Sequence, residues 1–139
     1  MAIPGSSPRR FGALPATECA ALLRSHTIGR VGWGSGDGPQ ILPVTYVFRD
    51  EQIIFRTSPY GALAELRSAQ QVAFEVDEFD LATRTGWSVL VRGTARAATN
   101  ADELSGLWQE QEPIPWASGN RTLFITISPE HLSGRVISG

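Results

Sequence analysis

The densest run of strand-forming residues lies between Pro39 and Thr57, PQILPVTYVFRDEQIIFRT. Gln40 to Phe48 is nearly all apolar, β-branched or aromatic, and Gln52 to Thr57 repeats that character in shorter form. Such side chains fit a pleated, half-buried surface, and the polar Arg49-Asp50-Glu51 between the two runs predicts a turn and hence a hairpin. Pro43 has no amide hydrogen and cannot sit in a doubly paired strand, so this part of the first strand belongs at an edge or a bulge. The second strand ends in a cation and hydroxyls, Arg56-Thr57-Ser58, a combination that suits an anion.

The same patterning extends in both directions. Leu14-Pro15-Ala16-Thr17-Glu18 opens a helix whose Cys19, Leu22 and Leu23 share a face and which stops near His26. Ile28 to Trp33 reads as a short strand, followed by a flexible turn at Ser35-Gly36-Asp37-Gly38. Gly61 to Ser68 has helical spacing of Leu63 and Leu66, and Gln71 to Val76 is a strand running into Asp77, Glu78 and Asp80, which read as a solvated loop. Gly86 to Ala98 is the longest strand, with Trp87, Val89 and Val91 on one face and Ser88, Leu90 and Arg92 on the other. Gly93 interrupts it as at a bulge. Thr99-Asn100 opens a helix to about Glu110, Pro113 to Trp116 forms an extended linker, and Thr122 to Ile127 is a strand ended by Pro129. Gly134 to Ile137 adds a short strand, and residues 1–13, rich in Pro, Gly and Ser, read as a loose arm before one domain over 14–139.

About six short strands and three small helices predict a mainly β fold, a partly open antiparallel barrel with helices plugging its ends. A barrel of that size fills its interior with side chains, which leaves the outer wall, and a seam between subunits, for a ligand. Four tryptophans favour such a wet, apolar surface.

Composition narrows the partners. In 139 residues the net charge is −2, too little positive field for nucleic acid, and no apolar run is long enough to span a bilayer. The lone Cys19 cannot form an internal disulfide and suits a reducing cytoplasm, and the N-terminus lacks the apolar core of a signal peptide. All twelve basic residues are arginine, which removes any chemistry needing a lysine amine. His26 and His131 lie at element ends without a second ligand and read as surface or capping residues. No catalytic constellation, metal set, phosphate loop or dinucleotide fingerprint is present. What remains is a binding kit: Arg56, Thr57 and Ser58 for a phosphate, backbone groups of Pro43 to Tyr46, and Trp87, Ser88 and Trp116 to flank a planar ring. That kit suits flavin mononucleotide, whose ring carries the redox chemistry while the protein positions it.

The ordered set IGRVGW (28–33), PQILPVTYVF (39–48), IIFRTSPYGALAEL (53–66), VAFEVDEFD (72–80), GWSVLVRGTA (86–95) and PWASGNR (115–121) resembles the pyridoxamine 5′-phosphate oxidase-like, FMN-binding split-barrel family in its short form. The resemblance covers nearly the whole chain after the first dozen residues. It implies a Greek-key split barrel, a homodimer, and FMN held at the dimer interface of an oxidoreductase acting on a small redox substrate. On this resemblance Pro43, Val44, Thr45 and Tyr46 lie along the isoalloxazine edge, largely through backbone. Arg56 and Thr57 bind the phosphate, Trp87 and Ser88 reach the ring, and Trp116 and Arg121 come from the second subunit. No side chain is implied as catalytic. One departure stands out: relatives place a basic residue after the glycine near position 61, where this chain has Ala62, and Arg67 is the nearest cation along the same helix. A deazaflavin, or a non-enzymatic carrier or sensor of a flavin, deazaflavin or haem-like ligand, is the alternative reading. The extended substrate-binding tail of true pyridoxamine phosphate oxidases is missing, so that reaction is not implied.

Overall fold

The computed structural model describes residues 10–99 and 121–138. Pro15 leads into helix α1 (Ala16–Ser25), which buries Cys19 and Leu23 and carries Glu18 in its first turn and Arg24 in its last, each complementing the helix dipole. Strands β2 (Ile28–Ser35) and β3 (Gly38–Arg49) pair antiparallel around Gly36-Asp37, and Gly38 takes φ 108°, where a side chain would be strained. Strand β4 (Gln52–Thr57) pairs with β3 only over Tyr46 to Arg49. Asp50 and Glu51 between them have φ 52° and 59°, the left-handed pair of a type I′ turn whose twist matches that of the strands.

A 3₁₀ helix (Ala62–Arg67) buries Leu63, Ala64 and Leu66 and leads to β5 (Gln70–Asp80) and β6 (Thr85–Ala97). The strand order is β1-β7-β4-β3-β2-β5-β6, where β1 is Arg10–Ala13 and β7 is Leu123–Ser138, and an additional β6–β7 pairing closes the sheet on itself. Six of the seven strands thus form a ring, with β1 added outside on β7. Inside the ring, Val31, Tyr46, Ile53, Phe55, Phe74, Val89, Val91, Ile125 and Ile127 form one core, and α1 and the 3₁₀ helix contribute Leu23, Leu63 and Leu66 to it. Each such side chain contributes roughly 1.5–3 kcal/mol by leaving water, which is why the interior is packed rather than hollow.

Four expectations need correction. Residues 10–13 are not part of a loose arm: Phe11 and Gly12 pair with Ile137 and Val136 as strand β1. The acidic run is not a loop, because β6 is long enough to carry the pairing on through Asp77↔Ser88 and Glu78↔Trp87 to Asp80↔Thr85. Pro129 does not end the last strand, and Gly134 does not start another; β7 runs unbroken for 16 residues. The reason is a bulge. Arg92 pairs with His131 and Gly93 with Pro129, so Glu130 is the extra residue and the proline falls where the ladder is already interrupted. Gly93 allows it, since a Cβ there would lie 2.1 Å from the Ser128 carbonyl oxygen. His131 is consequently exposed in mid-strand rather than at an element end. The helix expected from Asn100 to Glu110 and the linker from Pro113 to Trp116 lie outside the described residues.

Candidate functional site

Strand β3 changes partner partway along. Its residues 38–45 pair with β2, and its residues 46–49 pair with β4. The Tyr46 N–H donates to the Thr27 carbonyl at 2.8 Å. Backbone groups alternate sides along a strand, so those of Val44, Leu42 and Gln40 also point toward β2. Those of Thr45, Pro43, Ile41 and Pro39 point the other way; Thr45 faces the end of β4 next to the Tyr46↔Phe55 pair, and no described strand lies beside residues 39–43. Pro43 therefore stands at an edge, as its missing amide requires, and Pro39 shares that edge.

The side chains divide differently. Tyr46 is 1% exposed, its hydroxyl donates to the Leu23 carbonyl at 2.7 Å, and its ring meets Phe74 edge-on. Burial pushes that hydroxyl's pKa up. Tyr46 thus has its hydroxyl and its N–H both engaged within the chain, and neither faces the open side of β3. Val44 packs against the core, Thr45 is half-buried and Pro43 is exposed.

At the end of β4 the alternation buries Thr57 and turns Arg56 to the outer face. Arg56 Nε donates to the Arg121 carbonyl at 3.1 Å, and its guanidinium lies 5.4 Å over the Phe124 ring. Arg56 and Arg121 therefore adjoin within one chain. Just beyond, the Ser58 hydroxyl accepts from the Tyr60 N–H at 3.2 Å. Arg67 reaches back to donate to the carbonyls of Pro59 and Ala64, closing the Ser58–Arg67 segment on itself. Ala62 is exposed at the start of the 3₁₀ helix.

Trp87 and Ser88 sit farther off, separated from β3 by β2 and β5. Trp87 packs against the core with its ring edge-on to His26, centroids 4.8 Å apart. Ser88 points to the opposite face, between Asp77 and Arg135. One chain thus brings together Pro43 to Tyr46 with Arg56, Thr57 and Arg121, and holds Trp87 and Ser88 apart from them. Trp116 lies outside the described residues.

Sequence reasoning missed a polar cluster on the β2–β5 wall. Arg30 donates to Glu75 at 3.1 Å and to Asp77 at 3.3 Å. Partial burial, then the neighbouring Asp77 carboxyl, push the Glu75 pKa up to about 7 against the opposing pull of Arg30. His26 Nδ1 lies 2.8 Å from the Leu22 carbonyl, the capping role its position suggested, and Nε2 lies 3.1 Å from Glu78. His26, Arg30, Asp77 and Glu78 border a pocket of about 370 Å³ that Ser25, Thr27 and Ile28 also line. The Leu22–His26 spacing was a legible signal for the cap; nothing local in the sequence joins His26 to a carboxylate 52 positions away. Among the described residues no group of His, Cys, Asp and Glu could hold a metal ion. Nor is any helix there long and apolar enough to cross a membrane.

Comparison with known proteins gives this geometry a context. The uncharacterized protein Rv0080 of Mycobacterium tuberculosis is 30% identical over 133 residues, 92% of this chain and 86% of that one. A solved structure described as that of the FAD-binding protein from Mycobacterium smegmatis is 31% identical with a TM-score of 0.79, covering 92% of this chain and 99% of that one. A second, of an FAD-binding protein from Mesorhizobium loti, shares the fold at 24% identity and a TM-score of 0.75, covering 95% and 100%. The family model described as pyridoxamine 5′-phosphate oxidase matches residues 15–136. Those residues hold helix α1, the closed ring and the open stretch of β3, and the chain belongs to the pyridoxamine 5′-phosphate oxidase family.

Proposed function

We propose that this chain binds a phosphorylated flavin, FMN, along the free edge of β3, between two copies of the chain, and uses it as an oxidoreductase. The observation that carries the reading is the split in β3: among the described residues no strand lies along the outer backbone edge of residues 39–43, beside the β4 end that presents Arg56. A planar heterocycle with hydrogen-bonding atoms along its rim fits such an edge, and a guanidinium beside it fits a phosphate. The residues present therefore fit the group. The relative from Mycobacterium smegmatis described as FAD-binding supports a flavin, since FAD and FMN share the ring, the ribityl chain and the first phosphate.

When bound, the isoalloxazine supplies the hydride chemistry. The chain's part is to bind and orient it. The backbone of β3 fixes the ring's rim, and Arg56, held by the Arg121 carbonyl, fixes the phosphate end. The second copy completes the crevice, because one chain keeps Trp87 and Ser88 on a different wall from Arg56. The lone, buried Cys19 suits the cytoplasm as the compartment. A carrier or sensor using the same edge for a flavin or deazaflavin is the second reading. It is favoured by the absence, among the described residues of that edge, of any nucleophile–base pair.

A visible absorption spectrum of the purified protein, with mass spectrometry of whatever heat releases, tests the proposal. A flavin spectrum and a released mass of FMN are expected. Protein that stays colourless after incubation with excess FMN and desalting would sink the reading. Bleaching by a nicotinamide reductant with turnover separates the oxidoreductase from the carrier, and light scattering that shows a monomer removes the two-copy crevice.

A further inference from the structure

We infer that the gap where β2 and β5 part is a binding site for a small primary alkylammonium ion, held between Asp77 and Glu78. It stands apart from the open edge of β3 and does not rest on the flavin reading. β2 pairs with β5 only from Gly32↔Ala73 to Arg30↔Glu75. Ile28 and Asp77 are next in that register, and the ladder does not reach them. Thr27 turns its carbonyl to Tyr46 on β3, so alternation turns the backbone groups of Ile28 the other way, toward β5. The cavity of about 370 Å³ lies in that opening, with Ile28 and Asp77 both in its lining. Asp77 and Glu78 alternate to opposite faces of β5. A cavity that touches both therefore lies in the plane of the wall, along the edge that β2 has left.

Charge sets the sign of the ligand. Glu75, Asp77 and Glu78 face one guanidinium and one imidazole: Arg30 Nη1 is shared between Glu75 and Asp77, and His26 meets Glu78. Arg92 and Arg135, the next cations on that wall, pair in register with Ala73 and Ser88 rather than with these carboxylates. The cluster is short of positive charge, in keeping with a Glu75 pKa that burial and then Asp77 raise in spite of Arg30. The contacts already made set the kind of cation. Arg30 engages Oδ2 of Asp77 and His26 engages Oε2 of Glu78. Neither carboxylate is then left to clasp a planar guanidinium through both oxygens, whereas an ammonium needs only single contacts and can rotate its three donors to suit them. The second oxygens of Asp77 and Glu78 and the Ile28 carbonyl offer three acceptors. The Ile28 side chain, 37% exposed, gives an attached alkyl chain an apolar surface. A bare metal ion does not fit, since among the described residues no group of His, Cys, Asp and Glu could hold one.

The experiment titrates the full chain, as purified, with n-butylammonium by calorimetry in dilute salt at pH 8, above the Glu75 transition at about 7. Saturable binding is expected, and none of butan-1-ol, which has the chain without the charge. Tetramethylammonium, which has the charge without donors, should bind roughly tenfold more weakly or worse. Asp77→Asn and Glu78→Gln should each weaken n-butylammonium by a similar factor, roughly tenfold or more. Glu130→Gln, which deletes an equal charge beside Gln71 at the other end of β5, should bind as the parent does. Equal binding of tetramethylammonium, or an equal loss on Glu130→Gln, overturns the inference, since either means a diffuse negative field. The absence of saturable binding overturns it as well. Should circular dichroism show Asp77→Asn unfolded, Glu78→Gln decides, at a side chain 69% exposed. Protein that takes up FMN but no n-butylammonium overturns this inference alone, and the converse overturns only the flavin reading.

Discussion

The two halves of β3 make opposite uses of one strand. Residues 46–49 pair with β4 and send Tyr46 and Phe48 into the core, 1% and 9% exposed. Among the described residues, 39–43 pair with β2 alone and leave Ile41 69% exposed and a backbone edge without a strand beside it. Both contain strand-forming residues, β-branched in the outer half and aromatic in the inner, and the prolines fall in the outer half. What separates them is whether a second strand lies alongside. β3 joins the ring to β2 through its outer half and to β4 through its inner half, but it is the inner half that sends Tyr46 and Phe48 into the core, so stability is concentrated there, and the outer half is where we propose a ligand lies.

The sharpest way to break that comparison is to truncate each half in turn. Tyr46→Ala removes a fully buried ring and the hydroxyl that satisfies the Leu23 carbonyl. A loss of about 3–5 kcal/mol in urea unfolding is expected, with Tyr46→Phe losing about 1–2 kcal/mol. Pro43→Ala, on the exposed edge, should stay within about 0.5 kcal/mol of the parent. Equal losses at positions 43 and 46 would mean that the halves are one structural unit.

The next effect is on binding. Arg56→Ala should weaken FMN by roughly ten- to a hundredfold, the size expected for a charge-assisted hydrogen bond of about 1.5–3 kcal/mol. Riboflavin, which lacks the phosphate, should lose far less. The comparison between ligands is needed because Arg56 also bonds the Arg121 carbonyl and covers Phe124, so its removal perturbs structure as well as charge. Equal losses for the two ligands would place the phosphate elsewhere, with Arg67 the next cation to examine.

Much of this was legible in the sequence wherever a local rule applied. The hairpin turn, the Pro43 edge, the Gly93 bulge and the filled interior follow from turn chemistry, a missing amide, a missing Cβ and strand alternation. The misreadings arose where a partner strand overrode local preference. Asp77 to Asp80 looks like a loop until β6 is seen to run beside it, and Pro129 looks like a stop until the bulge opposite it is known. Of the expected site, the β3 edge beside Arg56 was readable because both belong to one hairpin. The Arg30–Glu75–Asp77 cluster was not, since Arg30 and Glu75 meet only by register, 45 positions apart.

That cluster lies on the wall that continues from the free half of β3, so its titration tests how far the wall contributes to stability. Glu75 has its pKa raised to about 7, by burial first and then by Asp77. A carboxyl that binds its proton more tightly when folded stabilises the protein fully below the ordinary glutamate range, and that contribution is lost as pH rises through about 7. Glu75→Gln cannot ionise. It should match the parent near pH 4.5 and exceed it at pH 8 by on the order of 1 kcal/mol, after discounting for partial exposure. A difference that does not change with pH between those limits would show that Glu75 titrates as an ordinary surface carboxyl.

The smallest effect belongs to the turn that closes the inner half. Glu51 holds φ 59°, a conformation that costs a side-chain-bearing residue about 1–2 kcal/mol relative to the right-handed region. Asp50, at φ 52°, is of a type that tolerates it better. Glycine at 51 removes that strain but adds freedom to the unfolded chain, and it also deletes the Glu51 contact to Arg24 at 3.1 Å. Both partners of that contact are well exposed, so it contributes at most about 1 kcal/mol and is screened by salt. Glu51→Gly should therefore stabilise by about 0.5 kcal/mol in dilute buffer and by somewhat more in concentrated salt, where the parent has already lost its ion pair. A gain that shrinks as salt is added would mean that backbone strain is not what position 51 contributes. The inner hairpin would then owe its register to side-chain packing alone.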